Sequence, residues 1–114
     1  MDQSPALSNP PTRAEVDGFP GPLVLEFGTS WCGYCRSFAP VFAQLLKSAP
    51  DVQHVKVEDG PGEPLGRSFG VKLWPTLVFI RDGQVRHQVA RPSRDQALVG
   101  LQAIASAGRS DPAT

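Results

Sequence analysis

The sequence predicts an α/β domain, a central mixed four-stranded sheet with helices on both faces. Three observations carry that prediction. Apolar runs of strand length, too short for helices, lie at residues 23–27 and 76–80, and at 52–57 Val52, Val55 and Val57 alternate imperfectly with polar residues. Elsewhere apolar residues recur at three- and four-residue intervals, in Phe38, Val41, Phe42, Leu45, Leu46 and Ala49, and again in Ala97, Leu98, Leu101, Ile104 and Ala105. That spacing is the stripe of a helix that buries one face. Asp82-Gly83 stands just after the third run, a two-residue hairpin signal because both positions tolerate positive φ.

In chain order, residues 1–22 carry Pro5, Pro10, Pro11, Pro20 and Pro22 with little apolar content, which predicts an extended arm. Thr12 and Glu15 have the spacing of a capping box and Gly18 could end the turn, so a short helix is expected around residues 13–17. The strand at 23–27 follows, then a helix to about Ser48, closed by Pro50. Because a helix links it to the first strand, the strand at 52–57 should run parallel to it with a right-handed crossover. Residues 59–70 contain Gly60, Pro61, Gly62, Pro64 and Gly66 and read as a loop, then at most a short helix through Leu65 and Phe69. The strand at 76–80 is continuously apolar. Residues 85–90 return antiparallel, with His87 and Gln88 on the wetter edge. Ser93 and Gln96 repeat the capping-box spacing before the last helix, Gly108 is its natural stop, and residues 109–114 should fray. Gly100 inside that helix costs about 1 kcal/mol against alanine, which points to a close contact. The expected organisation is an arm (1–22), one domain (23–108) and a tail (109–114).

At 114 residues the chain is long enough for a single core without staples. Its 11 basic and 11 acidic residues balance, with no long run of either sign. A nucleic-acid or anionic-membrane role needs a basic patch, so neither partner is expected. All apolar runs fall well short of the ~18 residues of a membrane span. Met1 is followed by Asp2 and Gln3, without the basic and apolar start of a signal peptide, so the expected location is the cytoplasm. An exported location would follow if a leader had been removed.

Both cysteines, Cys32 and Cys35, fall where the first strand ends and a helix begins, with only Gly33 and Tyr34 between them. Free backbone N–H groups and the positive end of the helix dipole stabilise an anion there, so a thiol ionises more easily. Cys32, at the exposed start, is the expected nucleophile, and Cys35, one turn inside, the resolving thiol. Tyr34 keeps a backbone N–H near the Cys32 sulfur that a proline would lack. Two blander readings compete. Cys-x-x-Cys is also half of a zinc site, but zinc wants four ligands and only His54 and His87 remain, neither spaced as a second knuckle. An inert structural disulfide closing so short a loop would add little stability. No metal and no cofactor are expected. Glu26 is a carboxylate inside an apolar run; such a residue is either solvent-facing or a functional acid. Trp31 could be a surface-packed aromatic. His54 and His87 read as surface residues without a role, and Phe38, Phe42 and Phe69 as core.

Over about residues 23–105 the chain resembles the thioredoxin family. Trp31-Cys32-Gly33-Tyr34-Cys35 is similar to the family's Trp-Cys-Gly-x-Cys motif, and Pro40 falls where the family kinks its active-site helix. Trp74-Pro75-Thr76 falls where the family carries a cis-proline facing the disulfide, Asp82-Gly83 at its hairpin, and Glu26 and Lys56 at its buried acid and lysine. The resemblance implies a thioredoxin-like fold, five-stranded if the arm holds the family's first strand, for which it shows no clear counterpart. It implies catalytic roles for Cys32, Cys35, Glu26 and Lys56, and partner-binding roles for Trp31, Gly33, Tyr34, Trp74, Pro75, Thr76 and Arg91. Four positions depart from the pattern. Glu26 stands for an aspartate, Tyr34 for a proline, Trp74 for a small or aliphatic residue, and Arg91 near a glycine beside the substrate groove.

The expected function is a protein-disulfide reductase. The Cys32 thiolate attacks a partner's disulfide, and Cys35 then attacks Cys32 to release the reduced partner. Cis-Pro75 would hold the partner's extended backbone as an added strand. The expected partners are proteins carrying disulfides or dithiols and, by resemblance, an upstream reductase fed by a nicotinamide nucleotide; a monomer is expected. Two other readings share the residues: a disulfide oxidant or isomerase of an exported compartment, and a redox-sensing binding or chaperone module.

Overall fold

Eight elements follow one another along residues 7–105, the part of the chain that the computed structural model describes. They are α1 (Arg13–Asp17), β1 (Pro22–Gly28), α2 (Gly33–Leu46), β2 (Gln53–Glu58), α3 (Pro64–Ser68), β3 (Thr76–Arg81), β4 (Gln84–Ala90) and α4 (Arg94–Ile104). The strands form one sheet in the order β2-β1-β3-β4. β1 and β2 are parallel, while β1–β3 and β3–β4 are antiparallel. This is the mixed four-stranded sheet that the sequence predicts, and no strand lies among residues 7–21.

Local signals set the element ends. Thr12 and Ser93 each close a full capping box, with Glu15 and Gln96 reaching back to the cap. Asp82 and Gly83 both take positive φ, 52° and 80°, at the β3–β4 turn. α2 stops at Leu46, two residues before the expected end, where the Lys47, Ser48 and Ala49 N–H groups turn to the carbonyls three residues back and the Ser48 hydroxyl donates to the Leu45 carbonyl at 2.7 Å. α4 ends at Ile104, and Ala105 leaves it in an extended conformation. Gly108 and residues 109–114, like residues 1–6, lie outside the described part.

Strand alternation divides the core between the two faces. Val24, Leu77 and Phe79 pack with Phe38, Phe42 and Leu45 of α2 and Ala97, Leu101 and Ile104 of α4. Leu23, Leu25, Phe27, Val78 and Ile80 face the other way, onto Val16, Phe19 and Leu65. The second face corrects the expectation of an extended arm. Val16 of α1 is fully buried and Phe19 nearly so. The prolines shape this segment's path, and its two large apolar side chains pin it to the sheet. Gly100 meets the close contact its position suggests: a Cβ there would fall on the Phe79 ring. Among the described residues no helix is long and apolar enough to cross a membrane.

Candidate active site

β1 ends at Gly28, and the chain reaches α2 in four residues, with Cys32 as the N-cap. The Cys32 sulfur occupies the place of a capping oxygen and accepts a hydrogen bond from the Cys35 backbone N–H at 3.2 Å. Its thiol also reaches the Trp74 carbonyl, 3.9 Å away. The Trp74–Pro75 peptide is cis, and the loop it closes lies over the start of α2.

The two cysteines differ as acids. Burial alone would raise the Cys32 thiol, but hydrogen bonds from the Cys35 thiol and the Cys35 and Tyr34 backbone N–H groups, with the Arg91 charge, hold it below its ordinary value. Burial first, then the Cys32 thiol and the charges of Cys32 and Glu26, pushes Cys35 up to about 11, partly offset by the Thr29 backbone N–H.

Their exposure corrects the sequence reading. Cys32 is only 8% exposed, while Cys35 is half-buried. Cys32 is covered from outside the helix, by the loop around Trp74. Cys35 instead lines a crevice of about 450 Å³ between β1, β2 and the first turns of α2, together with Glu26, Thr29, Arg36 and Lys56. Gly28 makes room for the Cys35 sulfur, because a Cβ there would press on it. At the same wall the Thr29 hydroxyl is buried with no protein partner among the described residues.

Around Cys32 the expected partner-binding residues separate into two sets. Trp31 (68% exposed) and Tyr34 (60%) stand in solvent, as do Gly33 and Arg91. Trp31 packs edge-to-face on Trp74, ring centroids 5.5 Å apart, and the Trp74 indole N–H donates to Asp59 at 2.8 Å. Pro75 and Thr76 are buried, and the Thr76 hydroxyl donates to the Leu73 carbonyl, so its side chain is turned away from a partner. Arg91 ties the rim together. Its Nε donates to the Trp74 carbonyl at 3.0 Å and its guanidinium lies over the Tyr34 ring, 4.2 Å from the centroid. Its backbone, at φ 48°, donates to the Pro75 carbonyl at 2.7 Å.

Beneath the cysteines Glu26 is buried, and Lys56 is its register partner on β2. Lys56 is exposed, however, and the ring that meets Glu26 is His54, with Nε2 at 2.7 Å from Oε1. The sequence reading gave His54 no role and missed this contact. The available signal was spacing: on a strand, residues 54 and 56 share a face. Among the described residues no group of three or more His, Cys, Asp or Glu side chains could hold a metal ion.

A model of the Thioredoxin family matches residues 11–103. Thioredoxin H1 of Arabidopsis thaliana is 32% identical over 74 residues, which cover 65% of this chain and 65% of that protein, just under two thirds of its length. A Thioredoxin H-type of Picea mariana is 30% identical over 92 residues, 81% of this chain and 74% of that protein. Among solved structures, thioredoxin 2 from Pseudomonas aeruginosa PAO1 in its reduced form superposes with a TM-score of 0.76 at 44% identity, covering 95% of this chain and all (100%) of the other.

Proposed function

Because the chain belongs to the thioredoxin family of thiol–disulfide oxidoreductases, we propose that it is a protein-disulfide reductase in which Cys32 is the nucleophile and Cys35 the resolving thiol. The observation that carries this reading is the acid asymmetry of the pair: Cys32 caps α2 and is held below its ordinary pKa, while Cys35 is pushed up to about 11. A thiolate is the attacking species, so the lower thiol begins the exchange. Its sulfur bonds to one sulfur of the partner's disulfide, and the other leaves as a thiolate that takes a proton from water. Cys35 then loses its proton and attacks Cys32. The Cys32–partner bond breaks, the partner departs reduced, and the enzyme keeps a disulfide between Cys32 and Cys35.

Glu26 is proposed to take the Cys35 proton, since both line the crevice. Lys56, on the same wall, contributes positive charge from its solvent side. The partner lies across exposed Trp31, Gly33, Tyr34 and Arg91, with Trp74 as the wall of its path and the Pro75–Thr76 backbone at its edge. The proposal extends to a monomer working in the cytoplasm, where an upstream reductase fed by a nicotinamide nucleotide returns the disulfide to dithiol.

Cysteine-to-serine variants incubated with protein extracts test the order of the thiols. Cys35→Ser is expected to accumulate partners as stable mixed disulfides and Cys32→Ser none, while the wild type turns over insulin with dithiothreitol. Equal trapping by the two variants, or no turnover, overturns the reading.

A further inference from the structure

We propose that His54 is a positioning residue for the resolving step: it holds one oxygen of Glu26 so that the other is left free to take the proton of Cys35. This rests on the reductase reading above and deepens it by adding a residue to its second half-reaction.

The contact itself is short and directional. His54 Nε2 lies 2.7 Å from Glu26 Oε1. In the tautomer that the proposal requires, Nε2 carries the hydrogen and donates it to Oε1, since a carboxylate oxygen only accepts. The imidazole is held in turn, with the Phe42 ring edge-on to it at 5.4 Å and 83°. Glu26 is 4% exposed and His54 27%, so the carboxyl group is withdrawn from solvent while its partner is partly open to it. A glutamate side chain has several rotatable bonds, and a buried one without a hydrogen-bond donor is both costly and free to turn away. One donor on Oε1 removes both faults and leaves Oε2 for the crevice.

The surroundings leave this task to His54. From α2, Cys35 and Arg36 line the crevice; from β2, Lys56 and Glu58 do so. β3 presents Leu77 opposite Glu26. Lys56 is the register neighbour of Glu26, yet it is exposed, and the side chain that meets the carboxyl group is His54, at 2.7 Å. The Glu26 charge is among the influences that raise Cys35, which places the two groups in electrostatic reach. In the resolving step the Cys35 S–H proton passes to Glu26 Oε2, and the Cys35 sulfur bonds to Cys32. The Cys32–partner S–S bond breaks, with its electron pair leaving on the partner's sulfur. That thiolate takes a proton from Glu26 or from water. Throughout, Nε2–H stays on Oε1, which accepts from it in the carboxylate and, more weakly, as the carbonyl oxygen of the acid.

Stopped-flow measurement of mixed-disulfide formation and of its resolution, on His54→Leu and His54→Gln, tests the assignment. His54→Leu removes the donor and is expected to leave the Cys32 attack at the wild-type rate while slowing resolution about tenfold, less than the ~10² of a directly transferring group. His54→Gln restores an N–H donor and is expected to recover most of that loss; a merely structural role would not respond to the donor in this way. Urea midpoints near wild type for both variants show that they are folded. If His54→Leu resolves as fast as wild type, or if folded His54→Gln is as slow as His54→Leu, His54 does not position Glu26. A wild type that forms and resolves no mixed disulfide at all instead overturns the reductase reading, and this inference with it.

Discussion

Two thiols three residues apart behave as different acids because each is solvated by something different. The Cys32 sulfur is served by backbone N–H groups at the start of α2 and by Arg91, and Cys35 by little more than one backbone N–H of Thr29. Cys35 therefore couples to stability through pH. Its folded-state pKa of about 11 lies above the ordinary value of 9.0, so the folded protein holds this proton more tightly than the unfolded chain. The stability it contributes is complete below the ordinary thiol pKa and is lost as pH rises through about 11. Reduced wild type should thus lose urea resistance relative to reduced Cys35→Ser between about pH 9 and about pH 11, and a difference that does not change with pH would mean that Cys35 titrates as an ordinary thiol. The cysteine pair was legible in the sequence because it depends on chain-local facts: a strand ending, a helix starting, a two-residue gap. The cover over Cys32 was not, since it comes from Trp74, 42 residues away. Nor was His54, whose meeting with Glu26 across 28 residues depends on which residues of β1 and β2 lie side by side. Neither strand alone states that register.

Helices and strands were legible for a related reason. Capping boxes at Thr12 and Ser93, the hairpin residues Asp82 and Gly83, and the apolar stripes of α2 and α4 all act within a turn or two of chain. What a helix packs against is settled elsewhere, and Gly100 shows how the two levels compete. Alanine at an exposed site in α4 would gain about 1 kcal/mol in helix propensity. Here its Cβ would fall on the Phe79 ring. That ring is fully buried, with Phe42 at 6.4 Å and His87 at 5.9 Å, so it has little room to yield. Overpacking typically costs about 1–3 kcal/mol, which exceeds the propensity gain. Gly100→Ala is expected to lower the urea midpoint, and a raised midpoint would show that the ring moves aside at no cost. Since α4 also seats on β3 and β4, the same glycine lets the helix sit close against the sheet.

The two faces of the molecule are unequally covered. Helices of 14 and 11 residues, α2 and α4, lie on one face, whereas the other is served by α1 and α3, of 5 residues each. On that thinner side the N-terminal segment supplies much of the cover. Val16 and Phe19 join Leu23, Leu25, Phe27, Val78 and Ile80 in one cluster. The Arg13 guanidinium lies 3.9 Å over the Phe69 ring and donates to the Ser68 carbonyl at 2.7 Å. The Gly21 backbone N–H donates to Asp82 at 2.7 Å, and the Asp82 N–H returns a bond to the Gly21 carbonyl at 3.0 Å. Composition hid this, because five prolines among mostly polar residues outweigh two apolar side chains in any average, yet burial is decided side chain by side chain. Removing residues 1–20 would expose the sheet face beneath Val16 and Phe19. Burial of Val16 and Phe19 alone is worth about 1.5–3 kcal/mol each, so the loss is about 3–6 kcal/mol against a typical total of ~5–15. The shortened chain is therefore expected to unfold at much lower urea than the full chain. Its Cys32, which caps α2 beyond the removed segment, should still label before Cys35 in whatever fraction stays folded. An unchanged urea midpoint would return the segment to the extended arm that its prolines suggest.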